Sequence, residues 1–458
     1  MSKPKAKTQK LKEKVSKTIS RPKVLIANRG AIARRIVRAC NALGLETVAV
    51  YSEADVGAPH LAEASETYPL AGHRAVDTYL NQSRLLEIMH DVDAGAVHPG
   101  YGFLAENADF AHAVVDRGYT FIGPDPQWLA KMGDKVAARK LMAGQGFPTF
   151  AGSELIDDAE SALAEAERIG YPVLVKPTGG GGGMGMEKVQ DKDALVNAIQ
   201  RARAIAEAAF SSGGVYLEKL IANPRHIEFQ ILADGKGGAL HVFERDCSVQ
   251  RRNQKLIEES PAPGIPESEI LKVAQSAEEV CRELRYNNVG TLETLRDESG
   301  SYGFLEMNTR IQVEHGVTEE VTGLDLVALQ IELALGGTLP DQVARDGYAI
   351  EARIYAEDSE TLLPSTGKLS VFRPPNMQGV RVETGYQEGQ LVTPYYDAML
   401  AKVIAKAHTR ELAIGRLLVA LRDFEIRGVA TNQKLLERVL LDGRFVDGKI
   451  DTGFLERL

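Results

Sequence analysis

The stretch FLEMNTRIQVEH, residues 304–315, carries a functional group at every second position of its middle. These groups are Glu306, Asn308, Arg310, Gln312 and Glu314. A β-strand sends alternate side chains to opposite faces, so a strand over this stretch would align all five groups in one row. The spacing therefore predicts a strand with one packing face and one chemically active face.

Two interpretations of this row are open from the residues alone. It is either the polar solvent face of a half-buried strand or a functional site. Solvent faces of strands favour Lys, Thr and Ser over an ordered set of acids and amides, which supports a site. Glu306 and Asn308 offer the oxygen donors that Mg²⁺ prefers, and Arg310 beside them can hold an oxyanion.

The composition is that of an ordinary globular protein. The chain has 458 residues, of which 44% are hydrophobic, enough for two or three packed domains. Cys40, Cys247 and Cys281 are far apart and form no CxxC pair, which argues against a disulfide framework or a zinc site. No apolar run of about eighteen residues and no signal core occurs. We therefore expect a cytoplasmic protein without a membrane span.

Residues 1–22 form a Lys-rich opening. Residues 1–23 hold nine Lys or Arg and the single acid Glu13, although the whole chain has a net charge of −9. Such a segment either binds nucleic acid, a membrane or an acidic partner, or is a solvated tail. We expect a disordered tail and no nucleic-acid partner.

Residues 23–133 are predicted to form an open α/β domain. VLIAN (24–28) predicts a buried strand, RGAIARRIVRACNAL a helix, and ETVAVYS (46–52) the next strand of a parallel sheet. The first turn lacks GxGxxG, so no dinucleotide is implied. AGAVHPGYGFLAEN (94–107) predicts a strand that ends in a Gly-rich loop, where α/β sheets bind ligands.

Residues 134–335 are predicted to form a nucleotide-binding unit with a lid at about 153–217. A strand that ends near Lys176 precedes GGGGGMGM (179–186), whose backbone N–H groups have room to approach phosphate oxygens. A flexible connector would have a similar composition, so both interpretations stay open from the loop alone. Residues 347–456, with four predicted strands and two helices near the end, are predicted to form a further α+β domain.

Each of two polar segments is either a solvated surface segment or a binding site. ERDCSVQRRNQK (244–255) is too polar for a core strand, so we expect a solvated loop or an anion-binding wall with Lys255 as its point charge. Glu218 and Lys219 end a predicted strand, where they either lie at the surface or hydrogen-bond an adenine edge.

Two further positions require a partner of opposite charge. Glu293 lies thirteen residues before Glu306 across a predicted hairpin, so the two acids can share a Mg²⁺ that relieves their repulsion. Arg353 lies in a predicted strand whose neighbours are apolar, and burial there requires a partner anion.

The chain resembles the biotin carboxylase family of the ATP-grasp superfamily in nine motifs that follow one another across residues 23–455. They are HPGYGFLAEN, MGDK, KPTGGGGGMGM, EKLIANPRHIE, ERDCSVQRRNQK, PAPG, EMNTRIQVEH, EARIYAED and TPYYDAMLAK. The resemblance implies an α/β and α+β fold, with an ATP-grasp domain between an N-terminal Rossmann-like domain and a C-terminal biotin carboxylase domain. It implies a ligase that uses ATP and bicarbonate to carboxylate biotin on a carrier protein through carboxyphosphate.

The resemblance also assigns a role to each matching position. ATP would be held by Lys135, Lys176, Gly182, Gly183, Glu218, Lys219, Ile221 and His226, with Gln250 and Asn253 beside the nucleotide. Two Mg²⁺ or Mn²⁺ ions would be bound by Glu293, Glu306 and Asn308. Bicarbonate, and then carboxyphosphate, would be held by Lys255, Arg310, Gln312 and Val313. Glu314 would accept the bicarbonate proton, and Arg353 would stabilise the biotin enolate.

Four positions depart from the commonest family pattern. They are Ala31 for Glu, Met184 for Arg, Asn253 for His and Gly316 for Pro. NRGAIA, RRNQK and HGVTEEVTG look more like the biotin carboxylase part of urea carboxylases, so the final acceptor, an acyl-CoA, urea or another molecule, stays open.

The resemblance further implies a homodimer, and the sequence has no Met-Lys-Met biotinylation motif. We therefore expect the biotin carrier protein and the carboxyltransferase to be separate chains. Two other functions remain as alternatives. One is an ATP-grasp ligase that activates a different carboxylate, which would leave RIQVEH, QRRNQK and the Arg353 strand unexplained. The other is a degenerate ATP-binding scaffold.

Overall fold

The computed structural model describes residues 21–179, 183–210 and 213–458. The predicted tail at 1–22 therefore lies almost entirely outside the described residues, as does Gly182.

The first unit is a parallel sheet with helices on both faces. Its elements are β1 Lys23–Ile26, α1 Gly30–Ala42, β2 Thr47–Ser52, a 3₁₀ turn Glu53–Asp55, α2 Pro59–Glu63, β3 Glu66–Leu70, α3 Gln82–Asp91, β4 Ala94–His98, α4 Ala108–Val115, β5 Thr120–Phe121, α5 Pro126–Gly133 and α6 Lys135–Gly144. The strands lie in the order β3-β2-β1-β4-β5. Val24 packs with Ile36 of α1, whereas Leu25 packs with Leu85 of α3 on the other face. Burial on both faces explains the continuous apolar run, and the predicted βαβ unit is confirmed.

The second unit is a small antiparallel sheet covered by two helices. Its elements are β6 Gly152–Leu155, α7 Ala159–Ile169, β7 Val173–Pro177, β8 Glu187–Val189, α8 Lys192–Phe210 and β9 Val215–Lys219. The strand order is β6-β9-β7-β8. Val175 and Leu217 of the sheet pack with Ala162 of α7 and Ile199 of α8. Strands β7 and β8, which flank the glycine-rich stretch in sequence, pair with each other.

The third unit is a long antiparallel sheet accompanied by two small two-stranded sheets. Its elements are β10 Arg225–Asp234, β11 Ala239–Arg251, β12 Gln254–Ser260, α9 Glu267–Glu283, β13 Asn287–Arg296, β14 Tyr302–Asn308, α10 His315–Thr322, α11 Leu326–Ala334, β15 Tyr348–Tyr355, β16 Gly367–Lys368, β17 Val371–Arg373, β18 Val380–Thr384, β19 Leu391–Val392, β20 Met399–Ala407, α12 Arg410–Asp423, β21 Glu425–Arg427, α13 Gln433–Leu441, α14 Gly443–Val446 and a 3₁₀ turn Phe454–Arg457. Among the described residues, eight strands form the order β14-β13-β10-β11-β12-β15-β20-β18.

The pairing of β12 with β15 makes this sheet continuous. The two strands run antiparallel, with Glu258 opposite Glu351. Strands of the predicted nucleotide-binding unit and strands of the predicted C-terminal domain thus share one hydrogen-bonded surface. This continuity brings Arg353 of β15 next to β12, the strand that contains Lys255.

The strand predicted across residues 304–314 is wrong beyond Asn308. Strand β14 ends there, and residues 309–314 leave the sheet before α10 begins at His315. The last ladder pair joins Asn308 to Thr291. The next backbone N–H, from Thr309, donates instead to Glu106 Oε1 of the first unit at 3.0 Å. The Glu106 side chain, from another part of the fold, therefore accepts the hydrogen bond that a neighbouring strand would otherwise accept.

The expectation that ERDCSVQRRNQK is too polar for a core strand is also wrong. Its residues belong to β11 and β12, which meet in a turn at Arg252 and Asn253, both with positive φ. Arg245 is fully buried. Its guanidinium donates to Glu228 Oε1 at 2.5 Å and to Gln230 Oε1 at 2.9 Å. Pairing with buried partners, which a residue count does not show, makes a charged strand compatible with the core.

Candidate functional site

Four charged residues lie opposite one another on neighbouring strands of the long sheet. Glu306 pairs with Glu293, Glu293 with Glu228, and Glu228 with Arg245. Directly opposite residues point to the same face, so the four side chains form a row across β14, β13, β10 and β11. The predicted hairpin that sets Glu293 against Glu306 is confirmed.

Lys255 brings the middle of this row together with Glu314. Its ammonium lies 2.7 Å from Glu228 Oε2, 3.0 Å from Glu293 Oε1 and 2.6 Å from Glu314 Oε1. All three carboxylates are buried. Because Arg245 also contacts Glu228, these acids and cations form one buried group whose charges compensate one another.

Glu314 is held between two cations. Its second oxygen accepts from Arg353 at 2.8 Å, and its side chain is 1% exposed. Burial acts to raise the pKa of Glu314, but Lys255 and Arg353 hold that pKa well below its usual range. The carboxylate is therefore ionised and fixed in place, as a proton acceptor needs to be.

Arg353 has the partner anions that its buried strand position requires. Its guanidinium lies 2.5 Å from Glu258 Oε1 and 2.8 Å from Glu314 Oε2. Burial raises the pKa of Glu258 to about 7, despite the opposing effect of Arg353. The expectation of a partner anion for Arg353 is confirmed, and two carboxylates fill that place.

Arg310 and Gln312 reach the same group from the loop after β14. Arg310 donates to Asn308 Oδ1 at 2.8 Å and to Gln312 Oε1 at 3.0 Å. Gln312 in turn donates to Glu293 Oε1 at 2.9 Å. The predicted row therefore converges, although a loop rather than strand alternation brings its second half into position.

Three residues at this site were missed from the sequence. Glu106 accepts from Arg310 Nε at 3.0 Å, and Lys402 donates to the Val313 carbonyl oxygen at 2.5 Å. Glu228 contacts Lys255. A signal existed for Glu228, since polar side chains recur at every second position of HIEFQIL, and for Glu106, which lies in the Gly-rich loop after β4. A signal also existed for Lys402, which like Arg353 is a charged residue in a mostly apolar strand.

Of the residues predicted to bind the nucleotide, the lid unit brings the side chains of Lys176 and Glu218 together, whereas the side chain of Lys219 contacts other groups. Lys176 of β7 donates to Glu218 Oε2 of β9 at 2.7 Å. Lys219 instead donates to the carbonyl oxygens of Gly170 and Tyr171, at 2.8 and 3.0 Å. Lys176 and Glu218 thus form one ion pair between β7 and β9. Lys219 stabilises the connection between α7 and β7.

Lys135 and His226 border the predicted metal ligands. Lys135, at the start of α6, forms an ion pair with Glu306. His226 Nε2 lies 2.8 Å from Glu293 Oε2, and its other ring nitrogen lies 3.5 Å from Gln250 Nε2. Each of these nucleotide residues therefore contacts a member of the carboxylate row or a neighbour of one.

The described end of the glycine-rich loop touches the β11–β12 turn. Gly183 has φ +77°, and a Cβ on it would lie 2.0 Å from Asn253 Nδ2. Glycine is required there by both backbone and space. Ile221 lies half-buried just after β9. The loop of the lid unit therefore lies close to the long sheet at this turn.

The donor chemistry of Glu293, Glu306 and Asn308 fits a divalent metal. All three offer oxygen atoms from adjacent strands, and hard cations such as Mg²⁺ prefer oxygen. Lys135 contacts Glu306, and Lys255 and the His226 ring contact Glu293. Burial alone would raise the pKa of Glu293, but Lys255 and His226 hold it well below its usual range.

Comparison with known proteins accounts for the whole described fold. Three family models match in sequence: the biotin carboxylase N-terminal domain at residues 20–129, the carbamoyl-phosphate synthase L chain ATP-binding domain at 134–342, and the biotin carboxylase C-terminal domain at 351–457. Biotin carboxylase 2 of Bacillus subtilis is 47% identical over 439 residues, which cover 95% of this chain and 99% of that protein. The chain belongs to the biotin carboxylase family.

Solved structures of the family agree in three dimensions. The biotin carboxylase domain dimer of Hydrogenobacter thermophilus 2-oxoglutarate carboxylase, in complex with MgADP, ADP and bicarbonate, has a TM-score of 0.93 and 44% identity, covering 95% of this chain and 97% of that one. The biotin carboxylase–β,γ-ATP complex from Campylobacter jejuni has a TM-score of 0.94 and 39% identity, covering 97% and 100%. The predicted family, fold class and ATP-dependent ligase activity are confirmed. Within the described ranges, no helix has the length and apolar character needed to cross a bilayer.

Proposed function

We propose that this chain carboxylates biotin on a separate carrier protein, using ATP and bicarbonate, with Glu314 as the base. The observation that carries the proposal is the buried Glu314 carboxylate between Lys255 and Arg353, at 2.6 and 2.8 Å. Related carboxylases bind MgADP and bicarbonate, which supports these ligands for this chain.

Lys255, Arg310, Gln312 and Val313 would hold bicarbonate beside Glu314. An anion that Lys255 and Arg310 bind would withdraw part of the positive charge that now faces Glu314. The pKa of Glu314 would then rise toward its ordinary value, so the carboxylate would become a better base when its substrate is present. Bicarbonate, a weak nucleophile, would lose its proton to Glu314 while held in place for attack on the terminal phosphate of ATP.

ATP would lie between the lid and the long sheet. Its phosphates would face Lys135, Lys176 and the loop at Gly182 and Gly183. The base and ribose would lie near Glu218, Lys219, Ile221, His226, Gln250 and Asn253. Closure of the lid would exclude water from an intermediate that water hydrolyses.

Glu293, Glu306 and Asn308 would together hold two Mg²⁺ or Mn²⁺ ions. When bound, these ions would neutralise charge on the transferring phosphoryl group. Lys135 and Lys255, which now neutralise these acids, would be free to contact phosphate and bicarbonate oxygens.

Carboxyphosphate would break down to CO₂ and phosphate, and Arg353 would stabilise the biotin enolate that captures the CO₂. We further propose a homodimer, which the dimeric H. thermophilus domain supports, and separate carrier and carboxyltransferase chains. The cytoplasmic location and the domain limits 23–133, 134–335 and 347–456 are part of the same proposal. The acceptor beyond biotin stays open.

The test is ATP hydrolysis measured with and without bicarbonate, and with and without free biotin. We expect hydrolysis that depends on bicarbonate and rises several-fold with biotin. Stimulation by another carboxylate instead of bicarbonate would identify a different ATP-grasp ligase. Binding of ATP without any bicarbonate-dependent turnover would contradict the proposal and favour a scaffold.

A further inference from the structure

Lys402 is a buried lysine of β20 whose side chain is 1% exposed. It lies opposite Arg353 of β15 on one side and opposite Glu383 of β18 on the other. A buried ammonium costs free energy unless nearby groups offset it, so its partners indicate what it does.

The ammonium of Lys402 divides its contacts between a carbonyl and acids. It donates to the Val313 carbonyl oxygen at 2.5 Å and lies 2.7 Å from Glu383 Oε2. A second acid, Glu351, has its nearest oxygen 3.7 Å away. The shortest of these contacts thus goes to the backbone immediately before Glu314.

Neutralisation of Glu383 does not by itself account for this arrangement. Glu383 also forms an ion pair with Arg381, and Arg35 lies 3.7 Å from it. Burial acts to raise the pKa of Glu383, but Lys402 and Arg381 hold it well below its usual range. Arg381 also neutralises Glu383, so that acid does not depend on Lys402 alone. The hydrogen bond to the Val313 carbonyl is therefore the contact that best explains Lys402.

The loop from Thr309 to Glu314 needs such an external contact. It has left the sheet, so no ladder bonds fix its backbone. Glu106 holds its first residue through the Thr309 N–H, and Lys402 holds its last peptide through the Val313 carbonyl. The two contacts lie at the two ends of the segment that carries Arg310 and Gln312.

We propose that Lys402 is a positioning residue for bicarbonate activation. By fixing the orientation of the Val313–Glu314 peptide, it keeps the Glu314 carboxylate aligned with Lys255 and Arg353. A displacement of about 1 Å at such a base can cost about 100-fold in rate, because proton transfer depends on geometry. The inference rests on the proposed function and adds a residue from the C-terminal part of the sheet to it.

The experiment compares three variants of the full chain. Lys402→Met removes the ammonium with little change in volume. Lys402→Met combined with Glu383→Gln also removes the acid it neutralises, so that Glu383 is not left as a buried charge when the Val313 contact is lost. Lys406→Met, four residues along the same strand and partly exposed, is the matched control. The measurements are the KM for bicarbonate, the KM for ATP, the pH profile of kcat and the thermal midpoint.

We expect Lys402→Met and the double variant each to raise the bicarbonate KM or lower bicarbonate-dependent kcat at least tenfold. The KM for ATP should stay within twofold, and Lys406→Met should match the wild type. Recovery of bicarbonate kinetics in the double variant would show that Lys402 only neutralises Glu383 and would overturn the inference. Failure of both Lys402 variants to fold would assign it a structural role and overturn it equally. Absence of bicarbonate-dependent turnover in the wild type would instead contradict the proposed function.

Discussion

The proposed site has a nucleotide side at Lys176 and a bicarbonate side at Lys255, and these two sides use charge in different ways. On the nucleotide side, Lys176 contacts one carboxylate, that of Glu218, whose side chain is 16% exposed. On the bicarbonate side, Lys255 contacts three carboxylates, and the Glu314 side chain among them is 1% exposed. Water can solvate an exposed acid that loses its partner, but it cannot reach a buried one.

This difference implies that nucleotide contacts can change one at a time, whereas the bicarbonate group acts as a unit. Lys255, Glu314 and Arg353 share partners, so removal of one leaves the others with unbalanced buried charge. Effects of substitutions within such a network are not additive. The departures of Met184 and Asn253 from the family pattern both lie on the nucleotide side.

The largest expected contrast is between Lys255→Gln and Lys176→Gln. Lys255→Gln removes the cation that three buried carboxylates share, a loss of about 3–5 kcal/mol in the free energy of unfolding. We also expect a fall of at least about 100-fold in kcat/KM for bicarbonate. Lys176→Gln should cost about 1.5 kcal/mol and raise mainly the KM for ATP. Thermal midpoints and steady-state kinetics of the two variants, measured in parallel, check this. Equal effects on both substrates would remove the distinction between the two sides.

A smaller effect is expected for Gly183→Ala in the glycine-rich loop. Alanine at φ +77° costs about 1–2 kcal/mol, and its Cβ would collide with Asn253 Nδ2. The loop would shift, and the KM for ATP should rise about fivefold with the bicarbonate KM unchanged.

Gly237→Ala is the matched control for this strain. Gly237 also has positive φ, in the β10–β11 turn, but a Cβ there would meet nothing within 4 Å. It should lower the thermal midpoint without changing the KM for ATP. An ATP KM unaffected by Gly183→Ala would mean that the loop makes no close approach to the nucleotide.

The smallest expected effect is a pH dependence at Glu351. Burial raises the pKa of Glu351 to about 8. Because the unfolded chain releases this proton near the ordinary pKa of 4.5 while the folded state keeps it up to about pH 8, stability falls as pH rises through that interval. Glu351→Gln stays neutral throughout.

The thermal midpoint of Glu351→Gln should therefore match the wild type near pH 5 and exceed it by a few degrees at pH 8. The difference between the two proteins cancels the titration of groups that they share. A difference that shrinks as pH rises from 5 to 8 would have the wrong sign and would contradict the assignment of a raised pKa.

Much of the site could be predicted because short sequence patterns set local structure. The Glu293–Glu306 pairing follows from a hairpin of fixed length, and the buried strands of the first unit follow from their apolar runs. The need of Arg353 for a partner anion follows from its apolar neighbours.

The rest depended on contacts between distant parts of the chain. The strand prediction failed after Asn308 because Glu106, about two hundred residues earlier, takes the Thr309 N–H. The prediction for residues 244–255 failed because Glu228 and Gln230 on the adjacent strand satisfy Arg245. Lys402 is a charge in an apolar strand, as Arg353 is, but its bond to the Val313 carbonyl leaves no mark in the sequence.

The most direct test of the account is the transfer of labelled bicarbonate to biotin by Glu314→Gln, alongside its ATP affinity. Glutamine keeps the volume and some hydrogen bonds of Glu314 but cannot accept the proton. Glu332→Gln, on the exposed surface of α11, is the control. The account predicts a loss of at least about 100-fold in carboxylation with ATP binding within about twofold of the wild type. Carboxylation by Glu314→Gln at a rate near that of Glu332→Gln would contradict it.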